Sequence, residues 1–317
     1  MGYPNHPNSQ NGGDMTLRWG IVGLGRAGRS RAAALTADPR CEWIGAWRGA
    51  APPAPARAFQ SFEALLDAVD AVAICSPNDV HAAQVRAALT AGRHVVCEFP
   101  LAGSAAEAQV LFELAEAQGR RLHVEHIEIL TATAAFARGF MAQGQLKAGA
   151  LSFSSPDRGW IGEPERALAI THRNIARLHR LLDPLGPPER LLVAERSPTR
   201  LSATLWFQGA PVQLNLHHAP DAPRQLTIQL NRADGQTLRQ RNDQVEVNGA
   251  QVALPDDGGL FQRDHDAFMA ALHHNTPLYV PSERALELLH LADGLLAAPT
   301  AREIPHTTLM DGRRVSH

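Results

Sequence analysis

The feature that most constrains the fold is a short apolar run that leads into a glycine-rich turn. The run covers residues 17–22, three glycines with the spacing G-x-G-x-x-G follow it, and residues 29–36 form an Ala-rich helical pattern. The first glycine permits a tight turn, the second lets phosphate approach the backbone, and the third lets the helix pack on the strand. Free N–H groups at the start of the helix then favour an anion. The predicted pyrophosphate-binding residues are Gly23, Gly25, Arg26, Ala27 and Gly28.

Strand-like and helical segments alternate along the chain as far as residue 124. This alternation predicts an α/β domain with a doubly wound parallel sheet, the Rossmann arrangement. From about residue 148 strands follow one another through short turns, which predicts an open, largely antiparallel sheet in an α+β domain. We therefore expect a disordered tail at 1–14, a dinucleotide-binding domain at 15–128 and a substrate-binding domain at 129–317. Two helices, at 262–273 and 281–297, are expected to pack back near the first domain.

Composition limits the partners that the chain can have. The 317 residues carry a formal net charge of −2, so no global field attracts nucleic acid or an anionic membrane. No apolar run reaches the ~18–20 residues of a membrane span, and no signal peptide is visible. We expect a cytoplasmic monomer or small homo-oligomer. Its three cysteines lie in apolar contexts without metal-ligand spacing, which predicts buried thiols and no metal site.

The second strand bears on the choice between the two nicotinamide cofactors. An NAD enzyme places Asp or Glu about 20 residues after the glycine turn, whereas an NADP enzyme places a cation near the 2′-phosphate. This chain has Trp47 and Arg48 there, with no acid. Arg48 is expected to pair with the phosphate and Trp47 to lie beside the adenine, although a solvent-facing arginine is the alternative. NADPH is favoured, with NADH as a weaker cofactor.

Polar residues follow the next two strands, and the carboxyl ends of parallel strands share the edge where ligands bind. Glu98 and Phe99 follow one of them; Glu98 is expected to orient the nicotinamide end, or else to cap a turn as a structural carboxylate. Together with the glycine turn, this layout resembles the glucose-fructose oxidoreductase / inositol dehydrogenase family. The resemblance implies a lysine acid/base where Phe99 stands, so alcohol oxidation is in doubt. The cofactor-binding residues expected after the other strand are Ser76, Pro77, Asn78 and His81.

Three further stretches are more specific than the glycine turn. Residues 96–101 read V-C-E-F-P-L, residues 122–130 read L-H-V-E-H-I-E-I-L, and residues 176–181 read A-R-L-H-R-L. They are similar to the corresponding stretches of biliverdin reductases, the last one to those of cyanobacterial members. The resemblance implies NADPH-dependent reduction of biliverdin to bilirubin, with hydride delivered to the central methine carbon and a proton to a pyrrole nitrogen.

An arginine stripe supplies the cations that the two propionates of biliverdin require. Arg173, Arg177 and Arg180 have the spacing i, i+4 and i+7, which places them on one face of a helix. Arg177 and Arg180 are expected to face the bilin and Arg173 to be peripheral; a solvated helix face is the alternative. The remaining residues expected to contact substrate are Phe99, Glu128 and His179.

The proton source is left open between two groups. His126 follows a strand on the ligand edge and belongs to a residue type that titrates near neutral pH. Arg177, which could hold a proton-donating water or polarise the pyrrole, is favoured over it. The expected catalytic residues are thus Arg177, Glu98 and His126. The alternatives are a sugar or cyclitol dehydrogenase that uses His126 or His179, and a non-catalytic sensor that binds the cofactor or a bilin.

Overall fold

The computed structural model describes residues 16–156 and 168–300. The tail predicted at 1–14 lies outside the described residues, as does the last part of the chain. Among the residues that are described, no helix is long and apolar enough to cross a bilayer.

The first sheet is parallel throughout and has six strands in the order β3-β2-β1-β4-β5-β6. This is the doubly wound arrangement that the alternating segments predict, and β1 and β4 lie side by side where the strand order reverses. Buried aliphatic side chains fill its central strands, because helices cover both faces. The strands are β1 (Leu17–Leu24), β2 (Cys41–Gly49), β3 (Arg57–Ala58), β4 (Ala71–Ile74), β5 (His94–Cys97) and β6 (Leu122–Val124).

Helices connect these strands, and side-chain caps fix where three of them begin. Ser61, Ser104 and Thr131 each accept a backbone N–H of the first turn of the helix that follows. Short 3₁₀ turns at Asn78–Val80 and Ile127–Leu130 lie on the ligand edge. The helices of this half are α1 (Arg26–Ala37), α2 (Phe62–Ala68), α3 (His81–Thr90), α4 (Ala105–Ala117) and α5 (Ala132–Met141).

The second sheet has eight strands in the order β14-β13-β12-β11-β7-β10-β9-β8. Of the neighbouring strand pairs in this sheet, β7 and β10 are parallel and the others are antiparallel, which confirms the open, largely antiparallel sheet. Burial alternates along β9, β10 and β11, so one face of the sheet packs into the core. The strands are β7 (Leu146–Pro156), β8 (Arg190–Arg196), β9 (Arg200–Phe207), β10 (Ala210–Ala219), β11 (Gln225–Arg232), β12 (Thr237–Arg241), β13 (Gln244–Val247) and β14 (Ala250–Val252).

Two helices after the second sheet return to the first. The helices are α8 (Leu260–His274), which packs on α1, and α9 (Ser282–Ala297), which packs on α4. The Phe268 ring of α8 lies edge-on to Trp19 of β1, with 5.6 Å between the ring centroids. These contacts place residues of α8, which comes late in the chain, next to the first sheet.

The arginine stripe does not lie on one continuous helix. The segment is divided into α6 (Ile170–Arg173) and α7 (Ile175–Leu185), with Asn174 between them at φ −111° and ψ 21°. The Asn174 side chain donates to the carbonyl of Ile170 and contacts His218 Nε2 of β10 at 2.8 Å. Such side-chain bonds compete with helical ones. The predicted common face of Arg173 and Arg177 is therefore wrong.

Candidate active site

The glycine turn joins β1 to α1 at the centre of the ligand edge. Gly23 has φ +87°, a conformation that favours glycine, and a Cβ on Gly28 would lie 2.2 Å from the Gly23 carbonyl oxygen. At Gly25 a Cβ would meet no atom within 4 Å. The third glycine is thus required for helix packing, whereas the second faces open space beside the first N–H groups of α1. Arg26 and Ala27 open that helix, so the turn fits a pyrophosphate.

The end of β2 lies beside this turn. Gly49 pairs with Leu24 of β1, and Arg48 is exposed with φ +63°. The Arg48 guanidinium lies 4.5 Å from the centroid of the Trp47 ring, which in turn stacks on Phe62 at 5.3 Å. Arg48 therefore presents an exposed cation next to the turn, while the Trp47 ring already has two packing partners. An adenine contact by Trp47 stays a prediction.

Two loops on the ligand edge are tied together by a buried histidine. In the His81 ring, Nε2 lies 2.8 Å from the Ser76 carbonyl oxygen and Nδ1 lies 2.9 Å from the Pro100 carbonyl oxygen. Because both nitrogens face protein carbonyls and the side chain is fully buried, His81 has a structural role instead of the predicted contact with cofactor. Pro77 is exposed and Asn78 partly exposed on the same loop, where they remain candidates for that contact.

Beneath the edge lies a buried ionic network that the sequence did not reveal. Arg31 of α1 pairs with Asp264 of α8 and with Glu98, the latter at 3.4 Å. Asp264 also lies 2.7 Å from His123 Nε2 and accepts from the Tyr279 hydroxyl. Burial opposes its charge, but Arg31 and His123 outweigh burial and hold the pKa of Asp264 below its usual range. The network fixes the position of Glu98, and its role in orienting a nicotinamide stays a prediction.

Glu125 adds a second carboxyl next to Glu98. Its backbone N–H donates to the Cys97 carbonyl, and its Oε1 accepts from the N–H of Ile127 at 2.8 Å. Burial, together with the charge of Glu98, raises the pKa of Glu125 well above its usual range. The surroundings of Glu125 therefore favour its protonated form.

Phe99 occupies the position where the resemblance implies a lysine. Its ring stacks on His126 with 5.9 Å between centroids, and His126 Nδ1 lies 3.1 Å from His179 Nδ1. Burial, with the neighbouring histidines, lowers the pKa of His126 well below its usual range. Burial, with Arg284 and Arg180, lowers the pKa of His179 to about 3. Two neutral imidazoles share one hydrogen bond here, so His126 does not titrate near neutral pH as expected.

This pair gives the folding stability a pH dependence. Both pKa values are lower in the folded than in the unfolded chain, so below pH ~6.5 the unfolded chain binds protons that the folded one does not. The free energy of unfolding should therefore fall on acidification. Between pH 7 and pH 5 we expect His179→Asn to lose about 2 kcal/mol less than the wild type. Denaturant unfolding at both values measures this. The exposed His274→Asn serves as the control, and equal losses in all three proteins would refute the buried neutral pair.

Arg177 of α7 is buried and lies against the second sheet. It is ion-paired with Glu128, and its guanidinium lies 4.2 Å from the centroid of the Phe153 ring of β7. Arg224, which precedes β11, faces the same ring at 5.5 Å. Burial, with the charges of Arg224 and Arg180, lowers the pKa of Arg177 to about 9. Burial, with the positive charge of Arg26, lowers the pKa of Arg224.

Arg180 is engaged by the protein itself. Its guanidinium donates to the Glu128 carbonyl, to the hydroxyls of Thr131 and Thr133, and to Gln240 Oε1, all within 3.1 Å. The side chain is 4% exposed. Both terminal nitrogens thus hold α7 against α5 and β12, and the predicted contact between Arg180 and substrate is replaced by a structural role. Arg173 donates to the carbonyl of Pro198.

The sequence reasoning missed several residues of this site. Glu125 lies inside the stretch 122–130 and could have been found there, since it has the same spacing from the strand as Glu98 has from β5. The others come from distant segments whose sequence carries no local signal, and only the fold brings them to the edge. The missed residues are Arg31, Glu125, Phe153, Arg224, Asp264 and Tyr279.

Residues 17–126 match the model of the GFO/IDH/MocA family, described as an oxidoreductase family with an NAD-binding Rossmann fold. Mouse biliverdin reductase A is 42% identical over 87 residues, 27% of this chain and 30% of that protein. Inositol 2-dehydrogenase of Cereibacter sphaeroides is 34% identical over 195 residues, 58% of this chain and 47% of that protein. The chain thus spans between about three tenths and one half of these curated relatives.

Solved structures extend the likeness to both halves of the chain. Biliverdin reductase from Synechocystis sp. PCC 6803, in complex with biliverdin and NADP+, superposes with a TM-score of 0.80 and 26% identity. The alignment covers 89% of this chain and 98% of that one. UDP-N-acetylglucosamine 3-dehydrogenase from Acidithiobacillus ferrooxidans gives a TM-score of 0.75 at 20% identity over 88% and 96% of the two chains. The latter establishes a shared fold.

Proposed function

We propose that this NAD(P)-dependent oxidoreductase, whose residues 17–126 form a Rossmann domain of the GFO/IDH/MocA family, reduces biliverdin to bilirubin with NADPH. On this proposal, residues 15–128 bind the cofactor and residues 129–317 supply most of the substrate contacts. The complex of the Synechocystis biliverdin reductase with the same pair of ligands supports it. Inositol and sugar dehydrogenases are also relatives, so the choice of substrate has to be argued from the residues of the site.

The observation that supports the proposal is the cluster formed by Phe153, Arg177 and Arg224. Biliverdin is a flat tetrapyrrole with two propionates, so its pocket needs an aromatic or apolar wall and cations. Phe153 offers the wall, and the two guanidinium groups lie 4.2 and 5.5 Å from its ring centroid. Arginine forks pair with carboxylates in a bidentate way. Phe153 and Arg224 thus join Arg177 in this proposal, and Arg180 leaves it.

Few of the described groups around Phe99 can supply the proton that accompanies the hydride. NADPH supplies a hydride to the central methine carbon, and the pyrrole nitrogen takes a proton. Phe99 has none to give, and the pKa values of His126 and His179 are too low for either to be an imidazolium at pH 7. Burial lowers the pKa of Arg177 to about 9, and its ion pair with Glu128 keeps the guanidinium cationic. We assign it the hydrogen bond that polarises the pyrrole, directly or through water.

Arg48 is proposed to select NADPH over NADH through the 2′-phosphate. Arg48→Ala should weaken NADPH binding about tenfold and leave NADH binding unchanged, because charge-assisted hydrogen bonds contribute about 1.5–3 kcal/mol each. Fluorescence titration of both cofactors measures this. Arg29→Ala, an exposed change on α1, is the control for general loss of positive charge. A parallel loss of affinity for NADH and NADPH would contradict the assignment.

Oxidation of a sugar or cyclitol is the second candidate, because inositol dehydrogenases are among the relatives. Alcohol oxidation needs a base to remove the hydroxyl proton. Phe99 cannot act as one, and the low pKa values of His126 and His179 make them weak bases. A panel of polyols with NAD and NADP, run beside biliverdin with NADPH, distinguishes the two. Polyol oxidation without bilin reduction would replace the proposal, and cofactor binding without any turnover would indicate a sensor.

A further inference from the structure

A cluster of soft ligand atoms lies at the start of β2, at the edge of the first sheet opposite the glycine turn. Cys41 begins the strand, and His265 and Met269 lie one turn apart on α8, where residues four apart share a face. The Cys41 Sγ atom lies 3.6 Å from His265 Nε2 and 3.8 Å from Met269 Sδ. A thiol, an imidazole and a thioether from two distant segments thus point at one another.

The separations match those around a bound metal ion. For a cation about 2.3 Å from each sulfur and about 2.0 Å from the nitrogen, the Cys41–His265 and Cys41–Met269 separations correspond to angles of about 110°, as in tetrahedral coordination. A carboxylate adds to the cluster, since the candidate ligand atoms of Asp38, Cys41 and His265 all lie within 4.8 Å of one another. Only small movements of side chains would therefore be needed to bind an ion.

The carboxylate is already engaged by a cation of the protein. Asp38 accepts three side-chain hydrogen bonds from Arg40, at 2.8 to 3.2 Å, and its Oδ2 lies 2.9 Å from His265 Nε2. It therefore orients the imidazole and carries a charge that Arg40 balances. Because a carboxylate only accepts, His265 Nε2 carries the proton of that hydrogen bond, and this proton has to move to Nδ1 before Nε2 can bind an ion. The thiolate, the freed imidazole nitrogen and the thioether then form a ligand set that selects soft metals.

We propose that Cys41, His265 and Met269 form a binding site for a soft monovalent cation of the Cu⁺ class. On binding, the Cys41 thiol releases its proton to solvent. The His265 proton moves from Nε2 to Nδ1, so the imidazole stays neutral and its hydrogen bond to Asp38 is lost. An ion can reach the site from the Cys41 side, because Cys41 is partly exposed and lines a surface cavity of about 410 Å³ together with Trp43 and Arg57. His265 and Met269 are buried behind it. The ion would cross-link β2 to α8, two segments more than 200 residues apart.

Silver is the probe, since Ag⁺ resembles Cu⁺ and does not change its oxidation state under these conditions. The reduced, full-length chain is titrated with Ag⁺ in excess free methionine, which competes for isolated histidine and methionine side chains. We expect the wild type to retain one Ag⁺ more than Cys41→Ser and to unfold at a higher temperature when loaded. Met269→Leu keeps both the thiol and the side-chain volume, and it should bind that ion about tenfold or more weakly because a soft ligand is lost.

Cys75→Ser is the matched control, because Cys75 follows β4 at the opposite edge of the sheet and is also partly exposed. It should retain the wild-type stoichiometry and affinity. Circular dichroism shows whether each variant is folded. If Cys41→Ser does not fold, the comparison of Met269→Leu with the wild type decides the test. The site is refuted if the wild type retains no Ag⁺ against methionine, or if Met269→Leu binds it as tightly as the wild type. Equal retention by Cys41→Ser would refute it as well.

Discussion

Gly25→Ala is expected to lower NADPH affinity about 100-fold while the protein keeps its unfolding temperature. A Cβ at Gly25 meets no protein atom within 4 Å, and the backbone there is extended at φ −83° and ψ −152°. An alanine therefore fits the folded chain. It occupies the space in which the pyrophosphate would approach the N–H groups of α1, so the loss falls on cofactor binding. Titration of NADPH by fluorescence, with thermal unfolding in parallel, measures both quantities.

Gly28→Ala provides the contrast for this prediction. Its Cβ would lie 2.2 Å from the Gly23 carbonyl oxygen, so α1 has to move away from β1. Overpacking of this kind costs about 1–3 kcal/mol of stability, and the unfolding temperature should drop along with the affinity. If Gly25→Ala unfolded as early as Gly28→Ala, or bound NADPH as the wild type does, the turn would not hold the pyrophosphate as we propose.

Arg177→Lys is expected to lower kcat/KM for biliverdin about 100-fold, with NADPH affinity unchanged. A lysine keeps the positive charge beside Glu128 but loses the planar fork that lies on Phe153 and pairs with carboxylates. The loss of about 2.7 kcal/mol corresponds to one or two charge-assisted hydrogen bonds. Steady-state kinetics with biliverdin and a separate NADPH titration measure the two effects.

Arg173→Ala is the control for the arginine stripe. Arg173 donates to the Pro198 carbonyl from α6, so its loss should leave turnover within about twofold of the wild type. A further variant, Glu128→Gln, tests whether the carboxylate that now pairs with Arg177 competes with the propionates of the substrate. Full turnover by Arg177→Lys would show that the bilin binds elsewhere, even if the chain reduces it.

The sequence pattern was sufficient for the architecture because periodicity reports on burial. The run at 17–22, the glycine spacing and the alternation up to residue 124 predict the parallel sheet that is observed. Strands in succession after residue 148 likewise predict the second sheet. The pattern failed at Asn174, where the helix breaks because the side chain contacts His218 of β10. That contact joins two segments 44 residues apart, so no local rule could predict it.

The site was predicted less completely than the fold, for a related reason. Residues on the edge follow strands and can be located from the strands alone, as with Glu98, Phe99 and His126. Their ionic partners cannot, because Arg31 meets Asp264 across 233 residues. The spacing of the arginines also could not distinguish the role of Arg177 from that of Arg180. They have similar burial, but Arg180 is engaged by four acceptors of the protein, whereas Arg177 pairs with the single carboxylate of Glu128 and lies on Phe153.

Mixing the purified chain with biliverdin and NADPH tests the central claim most directly. We expect the red absorbance of biliverdin to disappear, the blue band of bilirubin to appear, and one NADPH to be oxidised for each bilirubin formed. Omission of NADPH should abolish the change, and Gly25→Ala should slow it strongly at limiting cofactor. If neither absorbance band changed at any pH between 5 and 8, with NADPH binding demonstrated in the same sample, the chain would not be a biliverdin reductase.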